Sequence, residues 1–215
     1  MSLRVNIGCG QTPTNGWNNY DNSFAIRLAG IPIVSHLASN IGLLSESQTE
    51  FVNFARNSNI KWANATKHIP ESDGSVEVLY SSHMLEHLDR KEAAEFLKEA
   101  RRVLIHGGII RLAVPSLKFH IENYLDNKDA DFFVENILLT KEKPKSIIDK
   151  IKTFLIGDRH HMWMYDDDSL CKLLSSSGFR DSKVMEPGST TILNPGSLNL
   201  EERSEESVFV EALNP

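Results

Sequence analysis

Three groups of residues in the sequence are of types that do chemistry. Gly8-Cys9-Gly10 follows a short β-favouring run, Leu3-Arg4-Val5-Asn6-Ile7, and glycines at such a turn let the backbone approach a ligand and present N–H groups to an anion. Asp21 closes a second short run, Trp17 to Tyr20, where one carboxylate can accept both ribose hydroxyls of a nucleoside. His83-Met84-Leu85-Glu86-His87 matches H-x-x-E-H, a zinc-peptidase pattern of two imidazoles beside a glutamate. That pattern belongs inside a long helix, whereas these histidines begin just after a strand, so the expectation is no metal. A zinc hydrolase built on His83, Glu86 and His87 stands as an alternative.

Other chemistries fit less well. The dinucleotide pattern G-x-G-x-x-G needs glycine where the chain has Pro13, and its acidic ribose ligand is expected ~20 residues on, farther than Asp21. This disfavours nicotinamide and flavin enzymes. Lys141, Lys143, Lys145, Lys150 and Lys152 accompany an apolar stripe of Ile147, Ile148, Ile151, Phe154 and Leu155, so residues 145–156 read as a lid helix or as a membrane-surface contact. Trp163, Met164 and Tyr165 suit an acceptor pocket or a core equally.

These residues need a scaffold, and the apolar pattern supplies one. Runs at 3–7, 17–20, 60–65, 75–80, 109–114, 182–185 and 207–213 read as strands. Thr12-Pro13 opens a helical turn that Asn15-Gly16 closes almost at once. The clearest helix spans Arg90 to Leu104, with Asp89 as N-cap and Glu92 completing a capping box, before a connection ended by Gly107-Gly108. Asp166-Asp167-Asp168 starts another helix, which Gly178 ends. Residues 24–59 and 118–160 have helical pattern but fall outside the strand-helix alternation, and are expected as helical insertions forming a lid, with Ile31-Pro32-Ile33-Val34 irregular. Such alternation predicts an α/β fold, a Rossmann-like, mostly parallel seven-stranded sheet with helices on both faces and an antiparallel last strand, whose ligand lies at the carboxyl ends of the strands.

The chain has 215 residues, 40% hydrophobic and 24% charged, with 23 Lys+Arg against 29 Asp+Glu and a formal net charge of −6. A single domain over residues 1–215 follows from that length. The acidic balance argues against duplex nucleic acid as partner, since phosphate neutralisation needs a concentrated positive surface. Cys9 and Cys171 form no disulfide framework, and no apolar run reaches the ~20 residues of a membrane span, so a cytoplasmic location is expected.

Four segments together resemble the class I S-adenosylmethionine-dependent methyltransferases of the small-molecule type. Val5-Asn6-Ile7-Gly8-Cys9-Gly10 looks like the family's first motif, and Gly16-Trp17-Asn18-Asn19-Tyr20-Asp21 like its ribose-binding strand. Asn64-Ala65, Ile69-Pro70 and Asp73-Gly74-Ser75-Val76-Glu77 resemble the adenine-contacting turn and fourth strand; Leu85-Glu86-His87 and Arg102 to Gly108 resemble the lead into the fifth. The resemblance implies that Asn6, Gly8, Cys9 and Gly10 cradle the methionine part of S-adenosyl-L-methionine, Asp21 with Asn22 holds the ribose, Asn64 with Ala65 meets the adenine, and Ser81 and Ser82 sit near the sulfonium. S-adenosyl-L-homocysteine would be the product and a small molecule the acceptor, through O or N. Asn6 stands where an acid is usual, Thr12 where a third glycine is frequent, and Asn64 where an aspartate is usual; the first crossover helix is shortened almost to nothing. If a base is used, His83 is the first candidate, then His160 and His161, where the second insertion returns to the sheet. The altered positions keep open a cofactor-binding sensor or partner subunit without transfer activity.

Overall fold

The computed structural model describes residues 3–31, 46–139 and 160–215. Its strands are β1 (Leu3–Ile7), β2 (Asn18–Asp21), β3 (Ile60–Trp62), β4 (Val76–Ser82), β5 (Leu104–Pro115), β6 (Arg180–Met185) and β7 (Ser207–Leu213). The helices are α1 (Phe24–Ala29), α2 (Glu46–Asn57), α3 (Arg90–Val103), α4 (Leu117–Asn127), α5 (Ala130–Asn136) and α6 (Asp167–Ser176), with a short 3-10 turn at Leu85–His87. The strands form one seven-stranded sheet in the order β3-β2-β1-β4-β5-β7-β6. Only β7 runs against its neighbours, β5 and β6. The lysine-rich part of the expected lid, Lys141 to Lys152, and Ile31-Pro32-Ile33-Val34 beyond its first residue lie outside the described residues.

Alternation along each strand makes two different faces. Val5, Ile7, Leu79, Ile110, Leu112, Val114, Val208 and Val210 point one way and pack against Phe96, Leu97 and Ala100 of α3 and Leu170 and Leu174 of α6. Asp89 caps α3 by accepting from the N–H groups of Lys91 and Glu92, while Glu92 accepts from the Asp89 N–H, which is the expected capping box. Asp166 caps α6 through Ser169 in the same way. The opposite face carries Val78 and Tyr80, and it is covered by Trp17, Ile192 and Leu198. Two of those three belong to the connection between β6 and β7. A loop therefore lies where a crossover helix after β1 would have packed. Helices α1 and α2 pack on each other and on Ile60 at the β3 edge.

Three expected boundaries move. Thr12 starts no helix; its N–H and hydroxyl both donate to the Cys9 carbonyl and close a turn instead. β3 stops at Trp62 because the Asn64 side chain captures the backbone N–H of Thr66 and bends the chain. β5 begins earlier, at Leu104, and bulges so that Leu104 pairs with Val76 and Ile109 with Val78. Gly107 takes the positive φ of +75° that the bulge needs.

The loop over the second face is fastened by a buried ion pair. Arg111 of β5, fully buried, donates to Glu211 of β7 at 2.6 Å and to the Ser189 carbonyl at 2.9 Å. Glu211 also accepts from both Thr190 and Thr191 hydroxyls and from the Thr191 N–H. Burial alone would push the Glu211 carboxyl up, but the hydrogen bonds from Thr190, Thr191 and Arg111 outweigh it, and the group is held below the ordinary carboxylate range. With its folded pKa depressed, Glu211 contributes stability that is complete above the unfolded value of about 4.3 and is lost as pH falls through the folded value. Replacing Arg111→Met leaves that carboxylate buried and unpaired, and urea unfolding at neutral pH should show a loss of about 3–5 kcal/mol. The double variant Arg111→Met, Glu211→Leu should recover most of it, and equal losses in the two proteins would contradict the assignment.

Candidate functional site

The carboxyl ends of β1, β2 and β4 lie side by side, with Ile7 opposite both Tyr20 and Ser81 in the ladders. Between β1 and β2 the glycine loop is folded back on β2. The N–H groups of Gly8 and Cys9 both donate to the Tyr20 carbonyl, at 2.8 and 3.2 Å. The Gly10 N–H donates to Asp21 Oδ2 at 3.1 Å, and the other carboxylate oxygen accepts from the Ser23 N–H at 2.7 Å. These N–H groups are therefore already paired, and what the loop offers a ligand is space. Gly10, at φ +50°, has nothing within 4 Å of where a Cβ would stand. Gly8 is glycine for another reason: at φ +70° its Cβ would stand 2.8 Å from Met84 Cβ.

The remaining loop residues are braces. Asn6 is 1% exposed and donates its amide N–H to the Thr12 carbonyl and Thr14 hydroxyl. A neutral amide suits this place because it serves as a donor to two oxygens. Burial first, and then the charge of Asp21, pushes the Cys9 thiol up to about 12, so it remains protonated and unreactive. Asn22 is exposed and its carbonyl accepts from the Trp62 indole at 3.1 Å.

On the far side of β2, Asn64 Oδ1 accepts from both the N–H and the hydroxyl of Thr66, at 3.1 and 2.8 Å. Its oxygen is thus occupied within the turn, and the side chain's NH2 is the part left to meet a base edge. Ala65 is buried behind it. Arg102 at the end of α3 clamps this segment, donating to the Ile69 and Glu71 carbonyls and pairing with Glu99 and Asp73. The guanidinium beside Glu99 holds that carboxyl below its usual range against a smaller opposing effect of burial.

β4 ends in Ser81 and Ser82, both buried, and the Ser81 hydroxyl has no hydrogen-bond partner among the described residues. His83 follows at φ +48°, an uncommon backbone conformation for a residue with a Cβ. Its Nε2 lies 3.0 Å from the Ser207 hydroxyl, and its Nδ1 lies 3.5 Å from Glu86 Oε1. Arg203, from the loop that crosses the second face, reaches to 3.5 Å from the same Nδ1. His161 is buried and joins this group, while the His160 carbonyl accepts from the His87 ring. Burial is the first cause that lowers the His161 pKa, so the ring is neutral at pH 7. Tyr165 belongs to the main core, and Trp163 is exposed with Arg90 over its ring at 4.9 Å. The structure brings Gly8, Gly10, Asp21 and Ser81 to adjacent strand ends, and it adds residues the sequence reading did not single out: Met84 against Gly8, Arg203 and Ser207 against His83, and Glu202, which accepts from the Thr12 and Tyr80 hydroxyls.

Comparison with known proteins accords with this geometry. The family described as "Methyltransferase domain" matches residues 5–112, half of the chain. No curated protein matches in sequence. Among solved structures, a SAM-dependent methyltransferase of Thermotoga maritima, described as a possible histamine N-methyltransferase, aligns at 15% identity with TM-score 0.51, covering 100% of this chain and 83% of that one. One from Methanosarcina mazei aligns at 17% identity and TM-score 0.52, covering 98% and 91%. The complex of the Haloferax volcanii Trm112 methyltransferase activator includes another similar chain, at 13% identity and TM-score 0.51, covering 100% and 82%.

The difference between the two loop glycines can be measured. Gly10→Ala should lower stability by about 1–2 kcal/mol, from the left-handed backbone alone. Gly8→Ala adds overpacking against Met84 and should cost about 2–5 kcal/mol, with Met84→Ala in the same chain restoring part. Equal unfolding midpoints for the two single variants would contradict the contact.

A glycine loop closed on a β2 carboxylate beside an unpartnered serine, on a sheet of this order and within the matched residues, places the chain in the S-adenosylmethionine-dependent methyltransferase family.

Proposed function

We propose that this methyltransferase passes the methyl group to an oxygen or nitrogen of a small-molecule acceptor, with S-adenosyl-L-methionine bound over the Gly8–Gly10 loop. The observation that carries the reading is the hydrogen bond from Gly10 to Asp21, which joins the loop and the β2 end into one open cradle. Each Asp21 oxygen accepts one N–H and keeps lone pairs that two ribose hydroxyls can use. The Asn64 NH2 can meet a ring nitrogen of adenine, and the Ser81 hydroxyl lacks a partner until something occupies the cradle. The cofactor supplies an electrophilic methyl on sulfur, so the protein's task is alignment and, for a protonated nucleophile, removal of a proton.

His83 is the residue proposed to take that proton. Its position just past β4 follows from the bond between its own N–H and the Ala113 carbonyl at 2.9 Å. Helices α4 and α5, the described part of the second insertion, enclose a cavity of about 150 Å³ lined by Phe119, His120, Tyr124, Phe133 and Glu206. Glu206 precedes Ser207, which touches His83, so the cavity adjoins the proposed base. Its size and aromatic lining suit a small acceptor or one group of it. Insertions 24–59 and 118–160 are accordingly proposed to choose the acceptor.

Calorimetric titration with S-adenosyl-L-methionine should show micromolar binding that Asp21→Ala abolishes and Asp21→Asn weakens; tight binding retained in both variants would remove the ribose role. Once an acceptor is found, His83→Ala should lower kcat by about 10²- to 10⁴-fold with cofactor affinity unchanged. Phe133→Ala should instead change the preference among acceptors, and an unchanged ranking would remove the cavity from the acceptor site.

A further inference from the structure

Glu86 is a carboxylate that the fold leaves unsatisfied. It is 1% exposed, and neither of its oxygens accepts a hydrogen bond. A charge in that state is costly unless a cation or proton joins it. What faces it is nitrogen: His83 Nδ1 at 3.5 Å and His87 Nε2 at 3.8 Å from Oε1, and His161 close by. One donor atom from each of Glu86, His87 and His161 lies within 4.8 Å of the others.

The tautomers of these rings are fixed from behind. His87 Nδ1 lies 3.0 Å from the His160 carbonyl, and His161 Nδ1 lies 3.0 Å from the Ile137 carbonyl. A carbonyl only accepts, so each Nδ1 carries a proton, and Nε2 is the ring atom left to a ligand. His83 has the complementary arrangement. The Ser207 hydroxyl donates to the Glu202 carbonyl at 3.3 Å, so His83 Nε2 donates to Ser207, and its Nδ1 is the acceptor that Arg203 reaches at 3.5 Å. The buried carboxylate thus faces imidazoles held by backbone carbonyls from behind, an arrangement that a cation would complete. The segment bearing His161 is also locked to Glu86, whose carbonyl accepts from the Met162 and Trp163 N–H groups at 2.7 and 3.1 Å.

We propose that Glu86, His87 and His161 bind a divalent transition-metal ion of the zinc, cobalt or iron(II) type. Two imidazoles and one carboxylate are the ligands such ions prefer, whereas magnesium and calcium take oxygen. Ligand bonds of about 2.1 Å place tetrahedral donors roughly 3.4 Å apart; His87 Nε2 already stands 3.8 Å from Glu86 Oε1, and the three donors, all within 4.8 Å, have only to draw together around the ion. The backbone carbonyls behind His87 and His161 are the orienting partners that metal-bound imidazoles require. The set differs from the H-x-x-E-H reading of the sequence, because His161 from the far end of the second insertion supplies the third ligand. With three protein ligands an open position remains, beyond the carboxyl end of β4. Binding of the ion stands on this ligand set alone; that the open position takes an oxygen or nitrogen of the methyl acceptor rests on the function proposed above.

The test is titration of chelator-treated protein with cobalt(II), without cofactor or acceptor, read by visible absorption. One equivalent should bind, with the ligand-field bands of a low-coordinate site, and zinc should displace it. Glu86→Gln and His161→Ala should each weaken binding at least about a hundredfold, above the ~10–100-fold typical of outer-shell partners. His87→Ala should do the same, and because that side chain is 32% exposed the variant tests the site without a buried substitution. His106→Ala, exposed on β5, should bind as the unaltered protein does. No cobalt or zinc binding by folded protein, or undiminished binding in His87→Ala, would overturn the site. Calorimetry with S-adenosyl-L-methionine, run on metal-free and zinc-loaded protein, separates the two readings: ion binding without cofactor binding would keep the metal site and remove the methyl-transfer reading.

Discussion

The ion pair between Arg111 and Glu211 joins the adjacent strands β5 and β7, and its position determines what lies over the second face. Neither charge could be left there alone. Arg111 is enclosed by Phe209 and by the Ser189 and Leu200 carbonyls, so the chain from 189 to 200 must pass directly above it to supply those oxygens. Thr190 and Thr191 then satisfy the carboxylate. The pair therefore pins a long polar connection that has no helix or strand of its own, and Ile192 and Leu198 add the apolar anchorage. Further anchors follow: Arg4 holds the Leu193 and Asn194 carbonyls, and Ser197 reaches the Asn15 carbonyl.

Function depends on that loop because of what it carries onward. Past Leu200 the chain brings Glu202 against Thr12 and Tyr80, Arg203 against His83, and Glu206 to the cavity under α4 and α5. An ordinary member of this fold covers the same face with a helix between β1 and β2. Here β1 and β2 are separated by a bare turn, so the covering comes from the other end of the sequence. The glycine loop and the proposed base are thus held by one continuous segment, and an error in docking it would loosen both.

How much of this could be read from sequence depends on whether the cause is local. The strands were legible because burial on one or both faces leaves a period of two or a continuous apolar run, as in Ile109 to Val114. The α3 capping box was legible because Asp89 and Glu92 are three residues apart. The end of β3 was not, since a single side-chain hydrogen bond from Thr66 to Asn64 overrides the apolar pattern of Ala63 and Ala65. The covering loop left no periodicity, only Ile192, Leu193, Leu198 and Leu200 scattered in a polar stretch. Gly8 was legible as a glycine but its reason was not, because Met84 belongs to a different strand's end. The roles of Asn6 and Asn64 likewise depended on partners, Thr14 and Thr66, that the sequence does not rank above any other threonine.

Two buried glutamates show how differently the fold can treat the same group. Glu211 is 3% exposed and Glu86 is 1% exposed, so both face a similar loss of hydration. Glu211 gathers an arginine, two hydroxyls and an N–H, and its burial is accounted for by the architecture it secures. Glu86 gathers none of these. Its backbone is well used, since its carbonyl holds Met162 and Trp163, but any residue would supply that carbonyl. The carboxylate itself contributes nothing to packing that a glutamine or methionine could not match, and it costs more than either. A protein retains such a group where something outside the fold completes it. The rings around Glu86 are already oriented by backbone carbonyls, so whatever completes the site meets ligands whose rotation has been restricted in advance. Stability and function are thus divided between two buried carboxylates, one on β7 and one in the turn after β4: the satisfied one positions the loop, and the unsatisfied one is the proposed ligand of a cation.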